Sequence, residues 1–597
     1  MRAFEHFPNL VAMFFTRAEE GGDRPFLRAK RDGVWDAISW AEAARQVASF
    51  ATALRAQGLR PGDRVVLVSE SRPEWCIADL GIMAAGCITV PTYTTNTERD
   101  HTHILENSGA RAAIVSTSKL AATLLPAIVR SSCCELLIAI DPLSPGQSGA
   151  VRSIAMADMV VDPQADVAAV RAAADFGRDD LACLIYTSGT GGAPRGVQHH
   201  HGAILHNVAA CIDIIEADFG WGPDEAFLSF LPLSHALEHT AGQFLPIGLG
   251  AQIYYAEGLE KLAANIEEAR PTIMIVVPRL FELLRTRFMK TIEKQGRVPR
   301  FLLAHALESG ARAAAGKRRL ADRPADLLVD LLLKPKVAKR FGGRLKALVS
   351  GGAPLNPDVG LFFQSIGLTL LQGYGQTESG PVVSCNRPTR GVRMETVGPP
   401  LKDVEVRIAE DGEILVRGEL VMHGYWRNEA ETERTLRDGW LHTGDVGHLD
   451  EGGRLMITDR KKDLIVNDKG DNIAPQRIEG MLTLRPEIAQ AVVSGDRRPY
   501  LVGLVVPDQD WMAEWAAARG VAPELGRLKE MPEFHKALVT AVDAVNADLS
   551  VIERVRRIAI ADEPFSIANE QMTPSLKSRR HAIRAVYGER LDGLYRG

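Results

Sequence analysis

The chain has 597 residues, more than one hydrophobic core can use, so at least two domains are expected. Hydrophobic residues make up 46% and charged residues 24%, an ordinary globular composition, and a net charge of -5 gives no general attraction to nucleic acid or an anionic membrane. Seven scattered cysteines without a CxxC pair exclude a disulfide framework or a structural zinc site as the organising principle and fit a reducing cytoplasm. The N-terminus carries Glu5 and Pro8 and lacks a continuous apolar run, so it does not read as a secretory leader. No stretch approaches the roughly 18 apolar residues a membrane-spanning helix needs. A cytoplasmic protein is expected, with peripheral membrane contact left open.

In chain order, short Val/Ile/Leu-rich runs at 64–69, 112–116 and 273–277 alternate with alanine-rich helical stretches at 40–57 and 72–85. Strands alternating with helices predict parallel α/β sheets. The same grammar appears before and after about residue 180, which predicts two sheet layers. Residues 301–341, rich in Ala, Leu, Arg and Lys, read as a helical excursion between two strands. From 398 to 459 the pattern changes to short strands with hairpin-type turns at Asp411-Gly412 and Glu451-Gly452-Gly453, a small β-rich subdomain. The charged stretch 459–463, DRKKD, marks the domain boundary. The expected architecture is therefore α/β: a large N-terminal domain (1–459) of two sheet layers with helices plus the β-rich subdomain, then a small mobile α+β C-terminal domain (460–597).

Residues 186–197, YTSGTGGAPRGV, follow the apolar run 181–185. Hydroxyls at Thr187, Ser188 and Thr190, glycines beginning at Gly189, and the cation Arg195 together suit a polyphosphate. Glycines let backbone amides approach it, hydroxyls donate hydrogen bonds, and a cation matches its charge. No GxxxxGK[ST] is present, so this is not a Walker loop. A Gly/Ser-rich loop alone is more often a surface turn; here the residue order resembles the YTSGTTGxPKG signature of the adenylate-forming (AMP-binding) superfamily. Gly191 stands where that family has Thr, and Arg195 where it has Lys. Arg keeps the charge as a planar fork, so contact geometry must differ.

Four more segments resemble the same family in order. Ser350-Gly351-Gly352-Ala353-Pro354-Leu355, alone a strand–helix turn, is implied to lie against adenine. Gln372-Gly373-Tyr374-Gly375-Gln376-Thr377-Glu378 is implied to stack adenine on Tyr374, contact the α-phosphate with Thr377 and bind Mg²⁺ through Glu378, a hard oxygen ligand suited to that ion. Trp440-Leu441-His442-Thr443-Gly444-Asp445 resembles WxxTGD, with Asp445 and Arg460 implied at the ribose. Residues 572–580, MTPSLKSRR, resemble the C-terminal lysine motif of long-chain fatty acyl-CoA synthetases, making Lys577 the implied bridge between acid carboxylate and α-phosphate.

The resemblance implies a two-step ligase. A carboxylate attacks ATP to give acyl-AMP and pyrophosphate, and the acyl group then passes to coenzyme A. It also implies a hinge at Lys462 and a pantetheine-facing position at Gly470. Pro232-Leu233-Ser234-His235 resembles the acyl-pocket segment, with His235 shaping or gating it. Residues 91–97 and 277–282, and the helical insert before Gly351, resemble long-chain fatty acid ligases more than acetate or aryl acid ligases, which implies a medium- to long-chain fatty acid as substrate. An acyl-AMP ligase loading a carrier protein and a ligase for aryl or other acids are the alternatives. A rival feature is His235-Ala236-Leu237-Glu238-His239, an HxxEH in the order of some zinc peptidases. The adenylate-type motifs already account for this region, and His199-His200-His201 reads as the edge of a loop.

Overall fold

A computed structural model describes residues 6–147, 149, 151–162, 165–187, 193–317, 319–573 and 578–596, without the side chains of Glu293 and Leu320. The chain forms two compact units, Met1–Ala409 with Leu415–Thr443 and Leu449–Met456, and Glu410–Ile414 with Gly444–His448 and Ile457–Gly597.

The first unit holds the two expected sheet layers. A seven-stranded sheet runs Ser153–Ala155, Leu136–Ala139, Ala112–Val115, Arg64–Val68, Ile88–Thr92, Leu181–Thr187 and Arg195–His200. Only its last pair is antiparallel. An eight-stranded sheet runs Ser384–Cys385, Leu370–Tyr374, Ala347–Ser350, Ile273–Val276, Ala226–Ser229, Gln252–Tyr255, Pro25–Arg31 and Val34–Ser39, parallel except for its two end pairs. The central strands are apolar throughout because both faces are covered. Val65 and Leu67 enter one core with Ala112, Ile114, Cys183 and Ile185, whereas Val66 and Val68 enter another with Ala113, Val115 and Leu184. The first of these cores also takes Phe227, Ile253 and Ile275 from the second sheet. Helices Leu10–Gly21, Trp40–Ala56 and Pro73–Ala84 fill the same core, with Trp40 stacked on Phe26 at 3.7 Å between ring centres.

The helical excursion is present as Arg297–Ala314 and a second helical run from 323 to 340, between the strands Ile273–Val276 and Ala347–Ser350. Residues 405–460 supply the short strands Glu405–Ile408, Glu413–Arg417, Leu436–Arg437, Trp440–Leu449 and Leu455–Arg460.

In the second unit, Ile488–Ser494 pairs antiparallel with Leu501–Pro507, which pairs parallel with Val555–Ile560. Period-two alternation splits the central strand between two cores. Leu501 and Val505 meet Ile478, Leu482, Phe534 and Leu538, while Val502, Leu504 and Val506 meet Ile583, Tyr587 and Leu591. All seven cysteines are free thiols. No helix among the described residues is long and apolar enough to cross a membrane.

Candidate active site

The strands on either side of the phosphate-type motif pair with each other. Leu181–Thr187 pairs antiparallel with Arg195–His200, setting Thr187 opposite Arg195 and Tyr186 opposite Gly196. The expected contacts Ser188, Gly189 and Thr190 lie outside the described residues. Tyr186 anchors the strand by donating to Asn107 Oδ1 at 2.6 Å. A Cβ at Gly196 would stand 3.0 Å from the Tyr186 ring, so the glycine permits the close pairing. Among the described residues the Thr187 hydroxyl is buried without a hydrogen-bond partner, an unusual and costly state for a polar atom.

Arg195 uses its planar fork twice: it pairs with Glu431 and lies 4.6 Å from the centre of the Tyr425 ring. Tyr425 in turn donates to Glu378 Oε1 at 2.7 Å. Thr187, Arg195, Tyr425 and Glu378 are thus joined by direct contacts or strand register. The sequence reading contained neither Tyr425 nor Glu431. The signal was slight, an aromatic pair in HGYWRN after the β-rich stretch and a glutamate three residues beyond Asn428, the cap of helix Glu429–Thr435.

Glu378 lies on the single turn Thr377–Ser379, where Gln376 and Ser379 cap each other. The preceding strand Leu370–Tyr374 carries Gln372, buried and donating to the Met394 carbonyl, and Tyr374, buried. Glycines flank Tyr374 for steric reasons. A Cβ on Gly373 would approach Ser384 O to 3.3 Å, and one on Gly375 would overlap Pro381 O at 1.8 Å. The neighbouring parallel strand Ala347–Ser350 ends at Gly351, whose amide donates to Val276 O at 3.2 Å. Gly352 follows with φ +84° and then Ala353, largely exposed. A Cβ at Gly351 would lie 3.2 Å from Leu237 Cδ2, so the His235 segment comes to the edge of this loop. His235 itself is half-buried and accepts the Leu237 amide at Nδ1, 3.2 Å.

The rest of the HxxEH is engaged elsewhere. His239 Nε2 meets Asp79 Oδ2 at 2.9 Å in the core, and Gln243 donates to the same oxygen at 2.7 Å. Glu238 accepts from Ser229 Oγ at 2.6 Å, and burial pushes its carboxyl up to about 8. Among the described residues the metal-compatible grouping is instead Asp179, His200 and His423. There the His200 ring nitrogens face the Arg178 and Val421 carbonyls, at 2.9 and 3.2 Å, and the ring stacks on His423.

In the second unit, Asp445 accepts from Arg460 Nε at 2.9 Å. Lys461 ties down the next position: its ammonium reaches Asp411 at 2.6 Å and Glu413 at 2.9 Å, and its amide donates to Gly444 O at 2.8 Å. Lys462 is the first residue beyond this tethered pair, and it is exposed. The hairpin Ile465–Val466 with Asn472–Ile473 carries Gly470 near its tip at φ +87°, exposed, in a turn where Asn467 Oδ1 accepts the Lys469 and Asp471 amides. Lys577 lies outside the described residues. Met572 and Ser578 form an antiparallel bridge, and Arg580 is held by Glu479 at 2.6 Å.

An antiparallel strand pair carrying a hydroxyl and an arginine in one sheet, with a glycine-flanked tyrosine and a carboxylate turn at the end of a strand in the other, is an arrangement suited to a nucleotide-handling α/β enzyme. The chain belongs to the AMP-binding enzyme family: residues 14–426 match that family's profile, and residues 462–597 match the profile of the AMP-binding enzyme C-terminal domain. It is 32% identical to the long-chain-fatty-acid–CoA ligase FadD15 of Mycobacterium tuberculosis, over 98% of this chain and 97% of the relative. In fold it is similar to the adenylation domain of a carboxylate reductase from Mycobacterium chelonae, at TM-score 0.76 and 21% identity, covering 99% and 92% of the two chains. It is also similar to the anthranilate CoA ligase AuaEII in complex with anthranoyl-AMP, at TM-score 0.70 and 19% identity, covering 98% of each.

Proposed function

We propose that this chain is an AMP-forming acid–thiol ligase that activates a medium- to long-chain fatty acid with ATP as acyl-AMP, releasing pyrophosphate, and passes the acyl group to coenzyme A. The observation that carries the reading is the series Thr187–Arg195–Tyr425–Glu378, which gathers a buried hydroxyl with no partner among the described residues, a cation and a carboxylate in one unit. Family membership and the name of the mycobacterial relative support the acyl chemistry and the long-chain preference.

In the first step two anions must meet. Arg195 offsets phosphate charge, Thr187 and Thr377 donate hydrogen bonds, and Lys577 holds the acid carboxylate against the α-phosphate, each lowering the cost of charge in the transition state. Glu378, with one oxygen held by Tyr425, is a hard oxygen donor that fits Mg²⁺, and the ion would supply further neutralisation of the phosphates. Tyr374 and the Gly351–Gly352–Ala353 loop receive the adenine, and Asp445 and Arg460 the ribose. His235 borders the acyl side. In the second step the domain after Lys462 turns, removing Lys577 and presenting the Gly470 face to pantetheine; the exposure of Lys462, next to the anchored Arg460 and Lys461, supports a hinge at that position.

The test is pyrophosphate release across a panel of acids with and without coenzyme A. Release that needs a fatty acid, with acyl-CoA formed only when CoA is added, is expected. Each buried CH₂ contributes about 0.8 kcal/mol, so kcat/KM should climb steeply with chain length. ADP as product would overturn the reading; a flat series would overturn the fatty-acid assignment alone.

A further inference from the structure

The helical excursion presents a face that the proposed chemistry does not use. Its second helical run begins as Arg323–Leu328, widens by one residue through Val329–Leu333 and continues as Lys334–Arg340. Val329, Leu333 and Val337, four apart, are buried and form the inner side. The opposite side carries Leu327, Leu328, Leu331 and Leu332, of which Leu327 is 58% and Leu331 63% exposed. The ion pairs Arg312–Asp322 and His305–Asp326 set the run antiparallel to Arg297–Ala314. That register brings Val298 and Phe301, 62% and 60% exposed, to the end of the pair where Leu331 and Leu332 lie. Six large apolar side chains so grouped exceed the scattered exposure usual on a soluble surface.

The charge around them is one-sided. Residues 278–340 contain sixteen Lys and Arg against six Asp and Glu, within a chain whose net charge is -5. Lys294, Arg297, Arg323, Lys336, Lys339 and Arg340 are exposed or nearly so on these helices. We infer that this face, Val298 and Phe301 with Leu327–Leu332 inside a collar of cations, is where the protein docks on an anionic lipid surface.

The chemistry selects that occupant. Leucines rimmed by lysine and arginine gain both from entering the headgroup–acyl boundary and from the lipid charge. A nucleic acid would reward the cations but leave the leucines in water. A second copy of the same face would bring like charges together. The overall negative charge is no objection, because beyond a Debye length of about 8 Å the distant carboxylates are screened.

Vesicle flotation of the full chain tests this without catalysis, so the outcome is independent of the ligase reading. The probes are phosphatidylcholine vesicles with and without an equal part of phosphatidylglycerol. The wild type should float with the anionic vesicles, be released by high salt, and stay behind with phosphatidylcholine alone. Leu327→Ser/Leu331→Ser/Leu332→Ser and, separately, Lys336→Gln/Lys339→Gln/Arg340→Gln should each lower the bound fraction at least tenfold while melting as the wild type does. Undiminished flotation of both variants, no flotation of the wild type, equal binding to neutral vesicles, or a leucine variant that changes only the oligomeric state would overturn the inference.

Discussion

Tyr425 donates to Glu378 Oε1 at 2.7 Å while its ring face lies 4.6 Å from the Arg195 guanidinium, so one side chain couples the cation and the carboxylate expected to flank the triphosphate. A hydrogen bond to a charged group is worth about 1.5–3 kcal/mol. Tyr425→Phe should therefore reduce the rate of ATP–pyrophosphate exchange about tenfold, and Tyr425→Ala more, because it also loses the ring under Arg195. If Tyr425→Phe exchanges at the wild-type rate, the hydroxyl does not position Glu378.

Gly375 has no room for a side chain, since its Cβ would overlap the Pro381 carbonyl. Backbone cannot move aside as a flexible side chain can. Gly375→Ala should cost about 3 kcal/mol or more and lower Tm by several degrees. A variant that melts with the wild type would show that the strand end relaxes freely.

Glu238 supplies a pH dependence of stability. Burial raises its carboxyl from the ordinary 4.5 to about 8 in the fold. Below about pH 4.5 the group is protonated folded and unfolded alike, and the fold bears no penalty. As pH rises the unfolded chain ionises first, so stability falls until the folded group also ionises near pH 8. Glu238→Gln should abolish this component, leaving a Tm that declines less between pH 5 and 8. Parallel Tm–pH curves for the two proteins would contradict the assignment.

Lys577 and Lys462 should separate the two half-reactions. Removing one charge-stabilising donor typically slows a step by about 10²–10³. Lys577→Ala should slow acyl-AMP formation by about that factor yet transfer pre-made acyl-AMP to CoA almost normally. Lys462→Pro should do the reverse, because fixing φ hinders the turn. Equal impairment of both steps by Lys577→Ala would leave the alternating arrangement unsupported.

What could be seen in the sequence was what is local. The two sheet layers announced themselves because apolar runs such as 64–68 and 112–115 are buried on both faces, and the tyrosine–glutamate turn because its glycines sit one residue either side of Tyr374. The Arg195 partners could not be seen. Glu431 is 236 residues away and Tyr425 belongs to no motif; only the chain's return to Gly196 and Gln198, where Trp426 donates to Gly196 O at 2.7 Å, brings them in. The departure from lysine at 195 becomes intelligible there, since a fork can pair with Glu431 and cover Tyr425 together, which a single ammonium point cannot do as well.

The partition of the backbone has a consequence for inheritance. The second unit draws on Glu410–Ile414 and Gly444–His448 as well as on everything from Ile457, so the chain changes unit five times. A single genetic crossover near residue 460 would transplant the terminal segment without the carboxylates of Asp411, Glu413 and Asp445 that grip Arg460 and Lys461. Chimeras exchanging only the terminal portion must therefore find those three acids already waiting in the recipient. Shuffling among relatives should tolerate a join after Lys462 far better than one placed just before Arg460.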